Sequence, residues 1–556
     1  LKKKLEQQVA RACSSLFGTD IGVEVTRPEE QFGDFATNAA LKLAKQLGKP
    51  PRELAEALAE KLRADLAGQV SEVSVAGAGF INLKLNDKAL LAALKTKPAR
   101  TLEGQVIVAE YSDPNPFKVL HAGHLYTSVV GDAIANLFEQ AGARVHRVNF
   151  GGDVGLHVAK TMWAIVKKLD GEHSEKLAKI PENERADWMA EEYVAGNLAY
   201  GEDAEIDAEI VAINKRIYKL HEDNDHDSPF AQIYWTCRQW SYDYFDGFYK
   251  RIGSNFEKYY PESETAPVGL KTVREHIGDV YEKSDGAVIF DGEKYGLHAR
   301  VFINSEGLPT YEAKDVGLIM KKWQDYKFDL SVVITGNDII EYMKVVLKSV
   351  EQFMPELLNR SKHLTHGIVK LKGGTKMSSR QGNILRATDV LDAASEANKK
   401  LAGEHNEDTV VGAVKYAFLK NRTGGDIVYD PEESVSLEGN SGPYLQYAHA
   451  RARSILRKAE SSGSLDDEAK LEAGERSLAR KIGEYPGVVD KAVNDLMPHH
   501  ICTYLYELAQ VFNRFYENNR VIGDPRQTLR LGLVQKYAET LQFGLELLGI
   551  VAPDKM

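Results

Sequence analysis

Two histidines three residues apart are the first residues in this chain whose types and spacing suggest chemistry. His121-Ala-Gly-His124 follows a β-rich run, Val106-Ile-Val-Ala-Glu-Tyr111, and a set of turn residues from Ser112 to Pro116. It precedes an apolar stretch of helical period, Leu125 to Ala141. Strand, turn and helix in that order present a helix N-terminus to an anion. The spacing puts both imidazoles on one side of the first helical turn. Gly123 removes a side chain between them, so a flat ligand can approach the backbone. The chemistry that suits this is phosphate binding, with stabilisation of the charge that grows during substitution. Two plainer readings compete. A His-x-x-His pair could ligate a metal, although it lacks a general base and a third ligand. The pair could also be satisfied histidines at a helix start.

A second stretch far downstream, Gly373-Gly-Thr-Lys-Met-Ser-Ser-Arg-Gln-Gly-Asn383, is a glycine-bracketed loop dense in donors. Lys376 and Arg380 bring cations, and Ser378, Ser379 and the backbone N–H groups add hydrogen bonds. Such a loop can close on a triphosphate and stabilise charge on departing pyrophosphate. Alone it could be any basic surface loop. Paired with the histidine motif on a split α/β domain, it points to nucleotide chemistry.

The elements that must position these residues follow from the rest of the chain. At 556 residues several domains are expected. A composition of 43% hydrophobic and 27% charged residues is that of an ordinary soluble globular protein. No apolar run reaches membrane-span length. The opening Leu1-Lys-Lys-Lys-Leu5 lacks a secretory core, and the absence of an initiator Met suggests a processed or trimmed start. Three widely separated cysteines, with no CxxC pair, argue against a disulfide framework and a cysteine zinc site, so a reducing, cytoplasmic setting is expected. A net charge of −11 gives no global attraction to nucleic acid, though local basic surfaces remain open.

Residues 1 to about 95 read as a small α+β unit. Helical patterns occupy Leu5–Phe17, Asn38–Leu47 and Arg52–Leu66, and alternating strands are expected at Val70–Val75 and Phe80–Leu85. Within it, Phe32-Gly-Asp-Phe-Ala-Thr-Asn38 is either a packed turn or a platform for an unstacked base, with Phe35 and Asn38 as its candidate contacts. A polar linker leads to a catalytic α/β domain over 104–386, with a second glycine-rich turn at Gly151-Gly-Asp-Val-Gly155. The charged, helical block at about 156–267 reads as an insertion, and its Trp235–Phe248 aromatics as core. Strand patterns at Gly286–Phe290, Ala299–Ile303, Leu330–Thr335 and His366–Leu371 read as a mixed second half of the same sheet. A connecting helical segment, 387–430, precedes an all-α bundle over 431–556.

The paired motifs resemble the HIGH and KMSKS signatures of class I aminoacyl-tRNA synthetases, and across the full length the chain most resembles arginyl-tRNA synthetases. Ser112-Asp-Pro-Asn-Pro-Phe-Lys118 resembles that family's lead-in to HxGH, with Asp113 in place of a serine. Asn149–Gly155 resembles its second glycine turn, and Gly442-Pro-Tyr-Leu-Gln-Tyr-Ala-His-Ala-Arg451 its helical anticodon-binding domain. The resemblance implies a Rossmann-type catalytic domain that joins L-arginine to tRNA(Arg) through an arginyl-adenylate. It implies ATP with Mg²⁺ as the substrate complex, no zinc, no tightly bound cofactor, and a monomer.

It also implies residue roles. His121, Gly123 and His124 would meet ATP, with Lys376, Met377, Ser378, Ser379 and Arg380 closing over its phosphates. Glu110 and Asn115 would hold the amino end of arginine, and Tyr311 and Asp315 its side chain, since a guanidinium needs planar anionic acceptors, with Ser112 and Asn337 as further arginine contacts. Tyr444, Gln446, Tyr447, Arg451 and Arg453 would offer stacking faces and cations to tRNA. Where the family loop has a second lysine this chain has Ser379, which leaves the cationic role to Lys118, Lys376 or Arg380. A synthetase for another amino acid, and a nucleotidyltransferase that never touches tRNA, are the competing readings.

Overall fold

The computed structural model describes residues 1–374, 385–459, 462–466 and 468–556. In the amino-terminal unit, β1 (Val25–Thr26), β2 (Phe35–Thr37), β3 (Val70–Ala76) and β4 (Phe80–Leu85) form an antiparallel sheet in the order β1-β2-β4-β3. Helices Lys2–Phe17, Ala39–Leu47 and Pro51–Asp65 pack on it through Leu5, Val9, Leu43, Leu58 and Leu62. Pro at the start of the third helix lacks only an N–H that the first turn would leave unpaired.

The catalytic sheet is five-stranded and wholly parallel. Its strands are β5 (Val106–Glu110), β6 (Arg144–Gly151), β7 (Lys258–Pro261), β11 (Leu330–Gly336) and β12 (Ser361–His366), ordered β12-β11-β5-β6-β7. The chain leaves the central β5 in one direction and later returns on its other side. A cleft therefore opens at the C-terminal ends of β5 and β11, where ligands bind such sheets. Central burial explains the unbroken apolar run Ile107-Val-Ala109.

Several sequence expectations change. β7 pairs with β6 and so belongs to the sheet, although it lies inside the block expected as an insertion. Four residues, two of them tyrosine and one proline, are too few to announce a strand after a long helix. β8 (Glu282–Ser284), β9 (Ala287–Phe290) and β10 (Arg300–Ile303) do not extend the nucleotide-binding sheet but form a separate antiparallel one. Their short links cannot carry the crossover that parallel pairing needs.

From β12 the chain passes through β13 (Val369–Leu371), which pairs in parallel with β14 (Ile427–Tyr429), a strand the helical reading of 387–430 did not include. The carboxy-terminal helices Gly442–Lys458, Ala473–Ile482, Tyr485–Asp495, His499–Asn518 and Gln527–Leu547 form a bundle, with Phe512 stacked on Tyr537 at 3.8 Å between ring centroids. Arg530 is buried against Glu475, its Nε 2.9 Å from Oε1. The bundle also receives the amino-terminal unit. Arg476 donates to Asp34 Oδ2 at 2.7 Å and to Asp87 Oδ1 at 3.0 Å.

The helix that follows the histidine motif, Ala122–Gln140, shares one apolar core with the bundle. Tyr111 packs where Gly131 leaves room and donates to the buried Asp132 at 2.6 Å. At the far end, Asn136 Nδ2 donates to the carbonyls of Glu546 and Leu547, each at 3.3 Å, and Lys415 Nζ to that of Gly549 at 2.8 Å. The carbonyls ending the last helix of the chain are thus satisfied partly by the catalytic helix.

Candidate active site

A cleft of about 1560 Å³ lies at the switch point. Ser112, Asn115, His121, Gly123, His124, Tyr311, Asp315 and Asn337 all border it, so eight of the expected site residues meet in one place. The segment that delivers the first of them is bent: Ser112, Asp113 and Phe117 have φ of 74°, 48° and 65°. Left-handed backbone at three non-glycine residues persists only where neighbours hold it. Here Asp113 Oδ1 accepts from Phe150 N–H at 2.8 Å, and Ser241 Oγ accepts from Phe117 N–H at 2.9 Å.

The two histidines cap their own helix reciprocally. His121 Nδ1 accepts from Gly123 N–H, and His124 Nδ1 from His121 N–H, both at 3.0 Å. With both Nδ1 atoms used as acceptors, each neutral ring carries its proton on Nε2 and keeps an N–H donor. The rings lie 3.8 Å apart. Burial, then Lys118 and His366, push His121 down to about 4, and burial and His121 hold His124 well below the ordinary value. They are therefore neutral hydrogen-bond donors near pH 7. Gly123 serves this cap directly: a Cβ there would lie 2.8 Å from the His121 ring, so its first duty is to the histidine rather than to a ligand.

The nearby positive charge is Lys118, whose Nζ stands 4.9 Å from the centroid of Tyr193 in the inserted helix Arg185–Ala199. It forms no ion pair among the described residues. Lys376, Met377, Ser378, Ser379 and Arg380 lie outside the described residues. Both flanks of that stretch are placed. Ala122 N–H donates to Leu385 at 2.8 Å and Ala387 N–H to Leu120 at 2.9 Å, joining its downstream end to the start of the histidine motif.

At the opposite side of the cleft is an acidic end. Asp315 accepts from the Tyr342 hydroxyl. Burial raises its pKa to about 7; the Tyr342 bond opposes that, while Glu110 and Glu262 add to it. Glu262, buried at the C-terminal end of β7, also borders the cleft. It is set there by Asp153 of the second glycine turn, which accepts from Ser263 N–H at 2.8 Å and from Arg238 Nε at 2.9 Å. Sequence reasoning missed Glu262 because its strand was read as insertion.

Other expected contacts are placed differently. Glu110 is 2% exposed, outside the cleft, and bonded to the buried Lys322. Both border a small cavity of about 20 Å³ beneath Asp315, room for about one water. Its charge is satisfied internally, because an unpaired buried carboxylate would be costly. Asn115 Oδ1 accepts from Gly152 N–H at 2.7 Å, so what remains for a ligand is its pair of amide donors, which suit a carboxylate better than an amino group. Ser112 Oγ is engaged with the Tyr249 hydroxyl at 2.7 Å.

The expected RNA contacts divide. Phe35 is 1% exposed, packed in its core beneath Arg27. The Phe32–Asn38 cluster is thus a packed turn; Asn38 is half-buried, and the exposed ring is Phe32. Gln446 is fully buried, donating to the carbonyls of Asp408 and Val551 at 3.1 and 2.9 Å, and offers nothing outward. Tyr447 is 44% exposed. Tyr444 accepts from Asn513 at 2.9 Å, Arg451 covers Tyr516, and Arg453 pairs with Asp554 at 2.8 Å.

No helix among the described residues is long and apolar enough to cross a membrane. Comparison with known proteins assigns the whole length. Residues 1–85 match the family model for the arginyl tRNA synthetase N terminal domain, 87–429 that for the tRNA synthetases class I (R) catalytic domain, and 445–556 the DALR anticodon binding domain. The arginine–tRNA ligase of Porphyromonas gingivalis strain W83 is 30% identical over 598 residues, covering 100% of this chain and 99% of the relative. That of Bdellovibrio bacteriovorus is 30% identical over 96% of this chain and 94% of its own. The Thermus thermophilus arginyl-tRNA synthetase structure superposes with a TM-score of 0.80 at 26% identity, with 100% of each chain covered. The chain belongs to the arginyl-tRNA synthetase family of class I aminoacyl-tRNA synthetases.

Proposed function

We propose that the protein attaches L-arginine to tRNA(Arg) in two steps, forming arginyl-adenylate and pyrophosphate from ATP and then transferring the arginyl group to the terminal ribose. The observation that carries this reading is one cleft with neutral imidazole donors on one side and a paired acidic end, Asp315 and Glu262, on the other. The arginine carboxylate attacks the α-phosphorus, the α-phosphorus–oxygen bond to pyrophosphate breaks, and Mg²⁺ travels with the triphosphate as part of the substrate. In-line substitution asks mainly for positioning and charge stabilisation. The Nε2–H groups of His121 and His124 donate to phosphate oxygens, and Lys118, with Lys376 and Arg380 of the loop, supplies positive charge.

Asp315 and Glu262 receive the guanidinium, with Tyr311 and Asn337 beside them, and Asn115 donates to the substrate carboxylate. Tyr447, with Arg451 and Arg453 on the same helix, faces tRNA at the bundle. The chain acts as a cytoplasmic monomer, with an RNA-binding amino-terminal unit and an anticodon-reading bundle. The test is aminoacylation of total tRNA with each of the twenty amino acids, together with arginine-dependent pyrophosphate exchange with and without tRNA. Arginine alone should charge, and exchange should need tRNA. Charging by another amino acid, or ATP binding without any charging, would refute it.

A further inference from the structure

The helix Tyr311–Tyr326 begins at the cleft with Tyr311, Lys314 and Asp315, whose spacing sets them on one face. Tyr311 and Asp315 border the cleft, while the Lys314 side chain runs into its wall. There Nζ donates to Glu262 Oε2 at 2.6 Å, and each side chain is 4% exposed. Removing an ammonium from water costs several kcal/mol unless its surroundings compensate. Three groups do so: the Glu262 carboxylate, the Tyr311 ring at 4.9 Å, and Tyr218 from the inserted block. Burial pulls the Lys314 pKa down, but Glu262, Tyr218 and Tyr311 together outweigh it and raise the value, so the ammonium stays charged. The pocket has been shaped around it, for a Cβ at Gly155 would lie 3.3 Å from Nζ.

Glu262 nevertheless borders the cleft, with one oxygen held by Lys314. Asp315 and Glu262 border the same cleft and repel, Glu262 raising the Asp315 pKa, and such a pair tends to take up a proton unless a cation intervenes. We propose that Lys314 is a positioning residue for arginine recognition: its ammonium fixes Glu262 by one oxygen and cancels one of the two acidic charges, so that Asp315 and the other Glu262 oxygen meet a planar monocation. This rests on the reading of Asp315 and Glu262 as guanidinium acceptors. The lysine thus offsets the charge of Glu262 without touching the substrate.

The experiment measures arginine and ATP KM separately, in the full-length enzyme with tRNA, for Lys314→Ala, Lys314→Met and Lys314→Arg. Losing a hydrogen bond between charged groups predicts a rise of roughly 10- to 100-fold in arginine KM for the first two, with ATP KM unchanged. Propylammonium in the buffer should restore arginine use by Lys314→Ala, while tetramethylammonium at equal ionic strength should not, and Lys314→Arg should keep most of it. Lys314→Met answers the same question should the alanine variant fold poorly. An arginine KM within twofold of the parent, or a loss shared equally with ATP and not rescued by the amine, overturns the proposal. Glu262→Gln and Asp315→Asn separate the two levels. If neither raises arginine KM, the recognition reading itself fails; if both do and the Lys314 variants do not, only the role of Lys314 fails.

Discussion

Replacing Asp315 by Asn should make the free protein more stable and its arginine site far weaker. With its pKa at about 7 in the fold against an ordinary 3.8, this carboxyl is about half protonated at neutral pH before substrate arrives. The sign follows from the raised value. The folded state holds the proton more tightly than the unfolded chain, so the contribution to stability is fully present below about pH 4 and is lost as pH rises through 7. The rise from 3.8 to about 7 corresponds to an upper bound on the order of 4 kcal/mol at pH 8. Asparagine mimics the protonated acid and can still accept from Tyr342, so its thermal midpoint should exceed the parent's at pH 8 and equal it near pH 4.

Arginine binding has the opposite need, because the guanidinium requires the ionised form. The Kd for arginine, followed by calorimetry at pH 6, 7 and 8, should weaken about tenfold from pH 8 to pH 6. Proton release should be visible as a dependence on buffer ionisation enthalpy. His121, at about 4, is already neutral across that range and cannot imitate the effect. A flat arginine affinity from pH 6 to 8, or an asparagine variant no more stable than the parent at pH 8, would refute this account.

Three further outcomes can be checked. Gly123→Ala should raise ATP KM about tenfold while leaving arginine KM unchanged, since the new Cβ meets the His121 ring at 2.8 Å and displaces its cap; unaltered ATP kinetics would show that the cap does not matter. With ATP saturated by Mg²⁺, kcat/KM for ATP should show no histidine limb near pH 6.5, because His121 titrates at about 4 and burial holds His124 well below the ordinary imidazole value; an inflection near 6.5 would contradict the neutral-donor assignment. Asp34→Asn should loosen the amino-terminal unit by on the order of 3 kcal/mol, because Arg476 then faces a neutral partner in a buried pair. Limited proteolysis between residues 95 and 104 should accelerate while arginine and ATP KM hold, and unchanged cleavage would place the docking energy elsewhere.

What could be read from the sequence was what local pattern encodes. The strand, bent turn and histidine-bearing helix are contiguous, and their apolar spacing and turn residues declare them. The meeting of Asp315 and Tyr311 with His121 across the cleft followed only from the family resemblance. Glu262 stayed hidden because a four-residue strand carries too little periodicity to be separated from the helices before it. Lys314 was in view, but a lysine beside an aspartate on a helix is ordinarily solvated, and only the fold buries it. Phe35 and Gln446 misled for a common reason. Aromatic and amide side chains look like RNA contacts until distant segments cover them, here the core of the amino-terminal unit and the chain's last residues.

The junction at the back of the Ala122–Gln140 helix bears on how this architecture can be rebuilt. Asn136 and Lys415 finish the final helix of the chain, and Asp132 and Gly131 fit that same catalytic helix against Tyr111. The carboxy-terminal bundle is therefore not a detachable cassette. Grafting a relative's bundle here without also exchanging Asn136, Lys415 and the turn at Gly549 would leave the carbonyls of Glu546, Leu547 and Gly549 without these donors behind the ATP site. Chimaeras should tolerate crossover points at the polar 95–104 linker far better than anywhere between 387 and 445.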